Sequence, residues 1–136
     1  MGGRDPRRVA SGSGLRAILD SDVLIDFLQG QTQAEQELRR YADWEISVIS
    51  WMEVLSGAEG PKEDKECRRF LDSLKVHALS PSVAEEAVQL RKRFRLRLPD
   101  AVIWATARTE GCLLVTRNHR HFPKDEPGIR LPYDLN

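Results

Sequence analysis

Residues 15–30 read Leu15-Arg-Ala-Ile-Leu-Asp20-Ser-Asp-Val-Leu-Ile-Asp-Phe-Leu-Gln-Gly30. A short apolar run from Leu15 ends in the acid Asp20, which predicts a buried first strand with a carboxylate at its end. Val23, Leu24, Phe27 and Leu28 then recur at helical spacing, and Gly30 stops that helix. A strand that runs straight into a helix is half of a βαβ unit, so the next question is whether the alternation continues.

It does. Residues 33–41 predict a second helix, and Ile46 to Ile49 a second strand. Ser50 opens a helix that closes near Gly57 to Gly60, and Lys62 to Leu74 forms a charged helix burying Cys67, Phe70, Leu71 and Leu74. Val76 to Leu79 is a third strand. Ser80-Pro81 starts a long helix through Phe94, with proline in the first turn, where helices tolerate it. Pro99-Asp100 opens a helix over 101–109 that Gly111 ends; Cys112 to Thr116 is a fourth strand and Ile129 to Leu131 a short fifth. Continuous apolar strands alternating with helices predict an α/β domain whose parallel sheet is covered on both faces. Residues 1–14, rich in Gly, Arg and Ser, read as a disordered leader or a remnant outside the fold, and 15–136 as a single domain.

The 136 residues suffice for one domain with its own core. Lys and Arg number 21 and so do Asp and Glu, so total charge does not by itself point to a nucleic-acid partner. Cys67 and Cys112 lie far apart, without zinc-ligand spacing, and read as reduced thiols of a cytoplasmic protein. No stretch approaches the roughly 20 apolar residues of a membrane span, and no signal-peptide core is present.

Ligands of open α/β sheets bind beyond the carboxyl ends of the strands. Asp20, Glu53, Asp100 and Asn118 all fall on that rim: one at the end of the first strand, one in the helix after the second, one at a helix start, one just past the fourth strand. Each has a plainer reading. Ser50 and Glu53 have capping-box spacing, Asp100 suits an N-cap, Asp20 or Ser21 caps the first helix, and Asn118 caps a turn. Gathered on one rim, however, carboxylates repel and call for a cation. Oxygen ligands without a Cys or His set favour Mg²⁺ or Mn²⁺. Such an ion suits phosphodiester hydrolysis, because it activates water and neutralises phosphate charge.

Four segments carry a resemblance. Ala17-Ile-Leu-Asp-Ser-Asp-Val-Leu-Ile-Asp26, Val48-Ile-Ser-Trp-Met-Glu-Val-Leu-Ser-Gly57, Leu98-Pro-Asp-Ala-Val-Ile-Trp-Ala-Thr-Ala107 and Leu114-Val-Thr-Arg-Asn-His-Arg-His-Phe122 resemble, in order and spacing, the motifs of PIN-domain ribonucleases, and most closely the VapC-type toxins of bacterial toxin–antitoxin pairs. The resemblance spans residues 16–135. It implies a three-layer α/β/α sandwich around a mostly parallel five-stranded sheet, Mg²⁺- or Mn²⁺-dependent endoribonuclease activity leaving a 5′-phosphate and a 3′-hydroxyl, homodimers, and inhibition by an antitoxin. It carries the metal-binding acids onto Asp20, Glu53 and Asp100. Asn118 stands where many relatives have a fourth aspartate and Asp22 where an asparagine is common, so Asp22 can restore charge to the rim. Ser21 and Thr116 offer hydroxyls that orient a carboxylate.

Arg91-Lys-Arg-Phe-Arg-Leu-Arg97 carries five basic residues in seven. It reads either as a helix end complementing the dipole or as a phosphate-contacting patch for RNA or an antitoxin, formed by Arg91, Arg93, Arg95 and Arg97 and extended by Arg117 and Arg120. His119 and His121 lie near Asn118, within reach of a substrate there. Two rival functions remain open on the sequence. Asp20-Ser-Asp22 after a first strand mimics haloacid-dehalogenase-like phosphatases, and a PIN-like scaffold with Asn118 would serve as an RNA- or partner-binding module with weak catalysis.

Overall fold

The computed structural model describes residues 15–135; the leader reading of 1–14 lies outside them. Five strands, β1 (Arg16–Leu19), β2 (Asp43–Ser47), β3 (Lys75–His77), β4 (Leu113–Val115) and β5 (Ile129–Arg130), form one sheet in the order β3-β2-β1-β4-β5. Every pairing is parallel. The helices are α1 (Ser21–Leu28), α2 (Thr32–Leu38), α3 (Val48–Ser56), α4 (Gly60–Asp72), α5 (Pro81–Phe94) and α6 (Leu98–Glu110).

The pleat of β1 sorts the core into two halves. Ala17 and Leu19 join Val23, Leu24, Leu38, Val54 and Leu71 on one face, packing α1 to α4 there. Ile18 points the other way, into Val83, Ala87, Leu90 and the buried side of α6. The outcome is the expected three-layer sandwich, with the sheet parallel throughout. β1 is central and fully buried from Ala17 to Leu19, which accounts for its lack of polar alternation. The outer strands β3 and β5 are short, and β3 carries exposed Lys75, as protected edges do.

Two local readings need correction. Ser47, not Ser50, is the N-cap of α3: its hydroxyl accepts from the Ile49 N–H, and β2 therefore lies about three residues earlier than the apolar run suggested. Ser50 is wholly buried inside α3, so the Ser50–Glu53 capping box does not form. Likewise α6 begins with Arg97 as N-cap, placing Asp100 in the first turn rather than at the cap. The capping explanations for Glu53 and Asp100 are thereby removed, although Asp100 still complements the helix start and pairs with Arg97. α5 matches its expected bounds, with Ser80 capping it through the Val83 N–H. It ends on Arg95 in the left-handed conformation, φ 58°, and this bend turns the chain directly toward α6.

Candidate metal centre

Asp20 ends β1 and caps α1, so one residue is fixed by both elements. Its Oδ1 accepts from the Ser21 N–H at 2.7 Å and its Oδ2 from the Thr116 hydroxyl at 2.7 Å. Thr116 stands one residue past β4, whose last pair places Val115 beside Leu19. The same hydroxyl lies 3.4 Å from Asp22, and the Arg117 N–H reaches Asp22 at 3.4 Å. The Ser21 hydroxyl donates to Glu53 at 2.8 Å, joining α3 to the rim. On the other side, the Asn118 N–H donates to Thr116 Oγ1 at 3.1 Å and its side-chain nitrogen meets His121 Nδ1 at 2.6 Å. His121 Nδ1 lies 3.5 Å from Asp100, whose carboxylate is forked by Arg97 at 2.8 and 3.4 Å. Asp20, Glu53, Asp100 and Asn118, with Ser21, Asp22 and Thr116, thus form one connected rim.

The electrostatics of the rim demand positive charge. Asp20 is 5% and Asp100 3% exposed. Burial, followed by the nearby Asp22 charge, pushes the Asp20 carboxyl up to about 7, against the Thr116 and Ser21 hydrogen bonds that favour its ionised form. Burial also raises Asp22, opposed by the Arg117 N–H and guanidinium. Buried acids forced toward neutrality are what a bound hard cation would relieve, and every donor here is oxygen, so the residues fit a divalent ion of the Mg²⁺ class.

The basic residues separate into different roles. Arg97 lies against Asp100 and lines a groove of about 260 Å³ together with Arg95, Arg120, His121, Phe94 and Phe122. Arg91 and Arg93 are exposed on the last turn of α5, Arg93 lying over the Phe94 ring at 4.9 Å. Arg117 is not a free cation of the patch: its guanidinium forks onto buried Asp26 at 2.6 and 3.1 Å, and the Tyr133 hydroxyl donates to the same carboxylate at 2.8 Å. The sequence reading missed this anchor, because Asp26 and its partners lie about 91 and 107 positions apart.

Among the described residues, one trio of potential ligands lies within 4.8 Å, namely Glu45, His77 and Glu110. It is away from the rim and already has its cation. Arg16 binds both Glu45 oxygens and reaches Glu110 at 2.9 Å, holding the Glu45 carboxyl down at about 2. The rim acids are the better metal candidates because Arg97 offsets only Asp100 there, leaving the buried Asp20 and its neighbour Asp22 without a guanidinium on their carboxylates. Among the described residues no helix is long and apolar enough to cross a membrane.

The fold and sequence agree with known proteins. The PIN domain family model matches residues 17–125. Ribonuclease VapC10 of Mycobacterium tuberculosis is 34% identical over 117 residues, covering 80% of this chain and 87% of its own length. A solved toxin–antitoxin complex from Klebsiella pneumoniae superposes with a TM-score of 0.82 at 37% identity, over 88% of this chain and 99% of that one. VapBC2 from Rickettsia felis, solved bound to a DNA fragment from its promoter, shares the fold with a TM-score of 0.67 at 19% identity, over 85% and 96% of the two chains.

Proposed function

The chain belongs to the PIN-domain family, and on that premise we propose that its rim is the active site of a divalent-metal-dependent endoribonuclease, the toxin of a VapC-type toxin–antitoxin pair. The phosphatase reading falls with the family assignment. The partners are an RNA substrate and a cognate antitoxin, in keeping with the complex from Klebsiella pneumoniae. Mg²⁺ is the proposed ion, with Mn²⁺ as substitute. Residues 15–136 would act as one nuclease domain, as a homodimer in the cytoplasm.

The observation that carries this reading is the buried, proton-avid Asp20 facing Asp100 across the rim. Asp20 and Asp100 would hold the ion directly, and Glu53 directly or through water. The ion, when bound, would supply a water acidic enough to attack a phosphodiester and would neutralise the phosphate. The protein's own groups do the rest. Thr116 and Ser21 fix the Asp20 carboxylate in one orientation. With its amide nitrogen on His121, Asn118 has its carbonyl oxygen left for a ligand or a water, but it cannot accept a proton as an aspartate would. Glu53, exposed and held by Ser21, is placed to orient the attacking water. Arg95 and Arg97 contribute cationic charge beside the scissile position, and Arg91 and Arg93 extend it along α5. Such contacts position a phosphate chain without reading its sequence.

Incubating the purified protein with RNA and Mg²⁺ or Mn²⁺, beside Asp100→Asn, tests the assignment. Cleavage leaving 5′-phosphate ends, absent with EDTA and absent in the variant, is expected; equal cleavage by the variant would refute it.

A further inference from the structure

Arg97 is the residue whose position the phosphate-patch reading does not explain. Its Nε donates to Asp100 Oδ2 at 2.8 Å and its Nη2 to Oδ1 at 3.4 Å, so one guanidinium covers both oxygens of a proposed metal ligand. Asp100 is 3% exposed, so a guanidinium on both its oxygens meets a carboxylate with little access to water. The Arg97 side chain itself is 60% exposed and has room to leave. Its charge is reinforced first by Asp100, and then by Glu53 and Asp20, so it feels three rim carboxylates together. The groove it lines is shared with Arg95 and Arg120, and with His121, whose Nδ1 lies 3.5 Å from Asp100.

We infer that Arg97 is the built-in counter-ion of the metal-free rim: it occupies Asp100 until a divalent cation displaces it, and the released guanidinium then binds a phosphate of the substrate in the groove lined by Arg95 and Arg120. This rests on the metal-site reading above. Two cations cannot share the buried Asp100 carboxylate without strong repulsion, because the dication must approach within ~2.1 Å of an oxygen that the guanidinium already holds. A guanidinium exchanges readily between such sites, since its planar fork matches carboxylate and phosphate alike. The pair therefore offsets the Asp100 charge without metal, while Asp20, Asp22 and Glu53 still call for a cation. Metal binding and exposure of the phosphate-binding cation become one event.

The side-chain Nε–H signal of Arg97 reports this directly by NMR, assigned by its loss in Arg97→Lys. On titration with Mg²⁺ it should move from a hydrogen-bonded to a solvent-exchanging position, in step with the backbone amides of Asp20 and Asp100. By calorimetry, Arg97→Gln should bind Mn²⁺ at least about fivefold more tightly than wild type, the lower end of ordinary coupling between competing ligands. The same variant should show a raised KM for RNA. An Arg97 signal unmoved while the Asp20 and Asp100 amides shift, or Mn²⁺ affinity unchanged in Arg97→Gln, would overturn the exchange and leave the metal site standing. No Mg²⁺ response at any of the three would overturn the metal site and the exchange with it.

Discussion

The Thr116 hydroxyl donates to Asp20 Oδ2 at 2.7 Å, fastening the end of β4 to the end of β1. Both groups are buried, and together with the Ser21 N–H on Oδ1 the bond fixes the orientation of the Asp20 carboxylate. Thr116→Val keeps the shape and removes the donor. Groups that orient a metal ligand are worth about 10–100-fold in affinity or activity. Cleavage by Thr116→Val should fall by about that factor with the circular dichroism spectrum unchanged, and metal affinity should weaken in parallel.

Asp20 gives a pH dependence with a definite sign. Its carboxyl is raised to about 7 by burial and Asp22, from an ordinary 3.8. Between those values the folded, metal-free protein binds more protons than the unfolded chain, so this group's contribution to stability is present at low pH and is lost as pH rises toward 7. The melting temperature of the metal-free protein should therefore gain from Asp20→Asn near pH 8 and gain little near pH 4. Metal must displace the same proton, so wild-type Mg²⁺ affinity should strengthen from pH 6 to pH 8. Asp20→Asn should also lose cleavage by at least ~10²-fold, the scale of removing one preorganised electrostatic partner.

Arg117 separates an anchor from a substrate contact. It forks onto Asp26, which is 4% exposed. Removing one member of a buried ion pair costs about 3–5 kcal/mol, because the other charge stays buried. Urea unfolding of Arg117→Ala should show a loss approaching that size, softened by the Tyr133 hydrogen bond. A stable Arg117→Ala with weakened RNA binding would instead restore it to the phosphate patch.

Ser50 has a buried hydroxyl without a hydrogen-bond partner. Ser50→Ala removes an unpaired polar group at little packing cost and should stabilise by about 1 kcal/mol. Ser47→Ala removes a real cap and should cost about 1 kcal/mol. Denaturant midpoints moving in opposite directions would verify the register of α3.

What the sequence made legible follows from the range of the forces involved. Asp20 could be placed because β1, its buried run and the helix after it are all local. α5 was read to the residue because Ser80 and Pro81 are local signals too. The second strand was misplaced because Asp43, Trp44 and Glu45 look polar or bulky beside Ile46, yet Glu45 is buried by its pairing with Arg16 and His77, far away in the chain. Ser50 then mimicked a cap already supplied by Ser47. Asp26 carried no local sign of its role either, since Arg117 and Tyr133 come to it only through the finished fold.

The central position of β1 has a consequence for when the protein becomes active. β1 can pair with β2 and β2 with β3 as soon as residue 77 has emerged from the ribosome. The other side of the rim is not yet available to fold: Asp100 has not emerged, and Thr116 lies 96 positions beyond Asp20. Contacts of such sequence separation form late. A growing chain therefore carries Asp20 and Glu53 without a working centre, and a prematurely ended one never acquires it. The ribosome making this enzyme is spared a nuclease at its own exit until synthesis of the chain is nearly done.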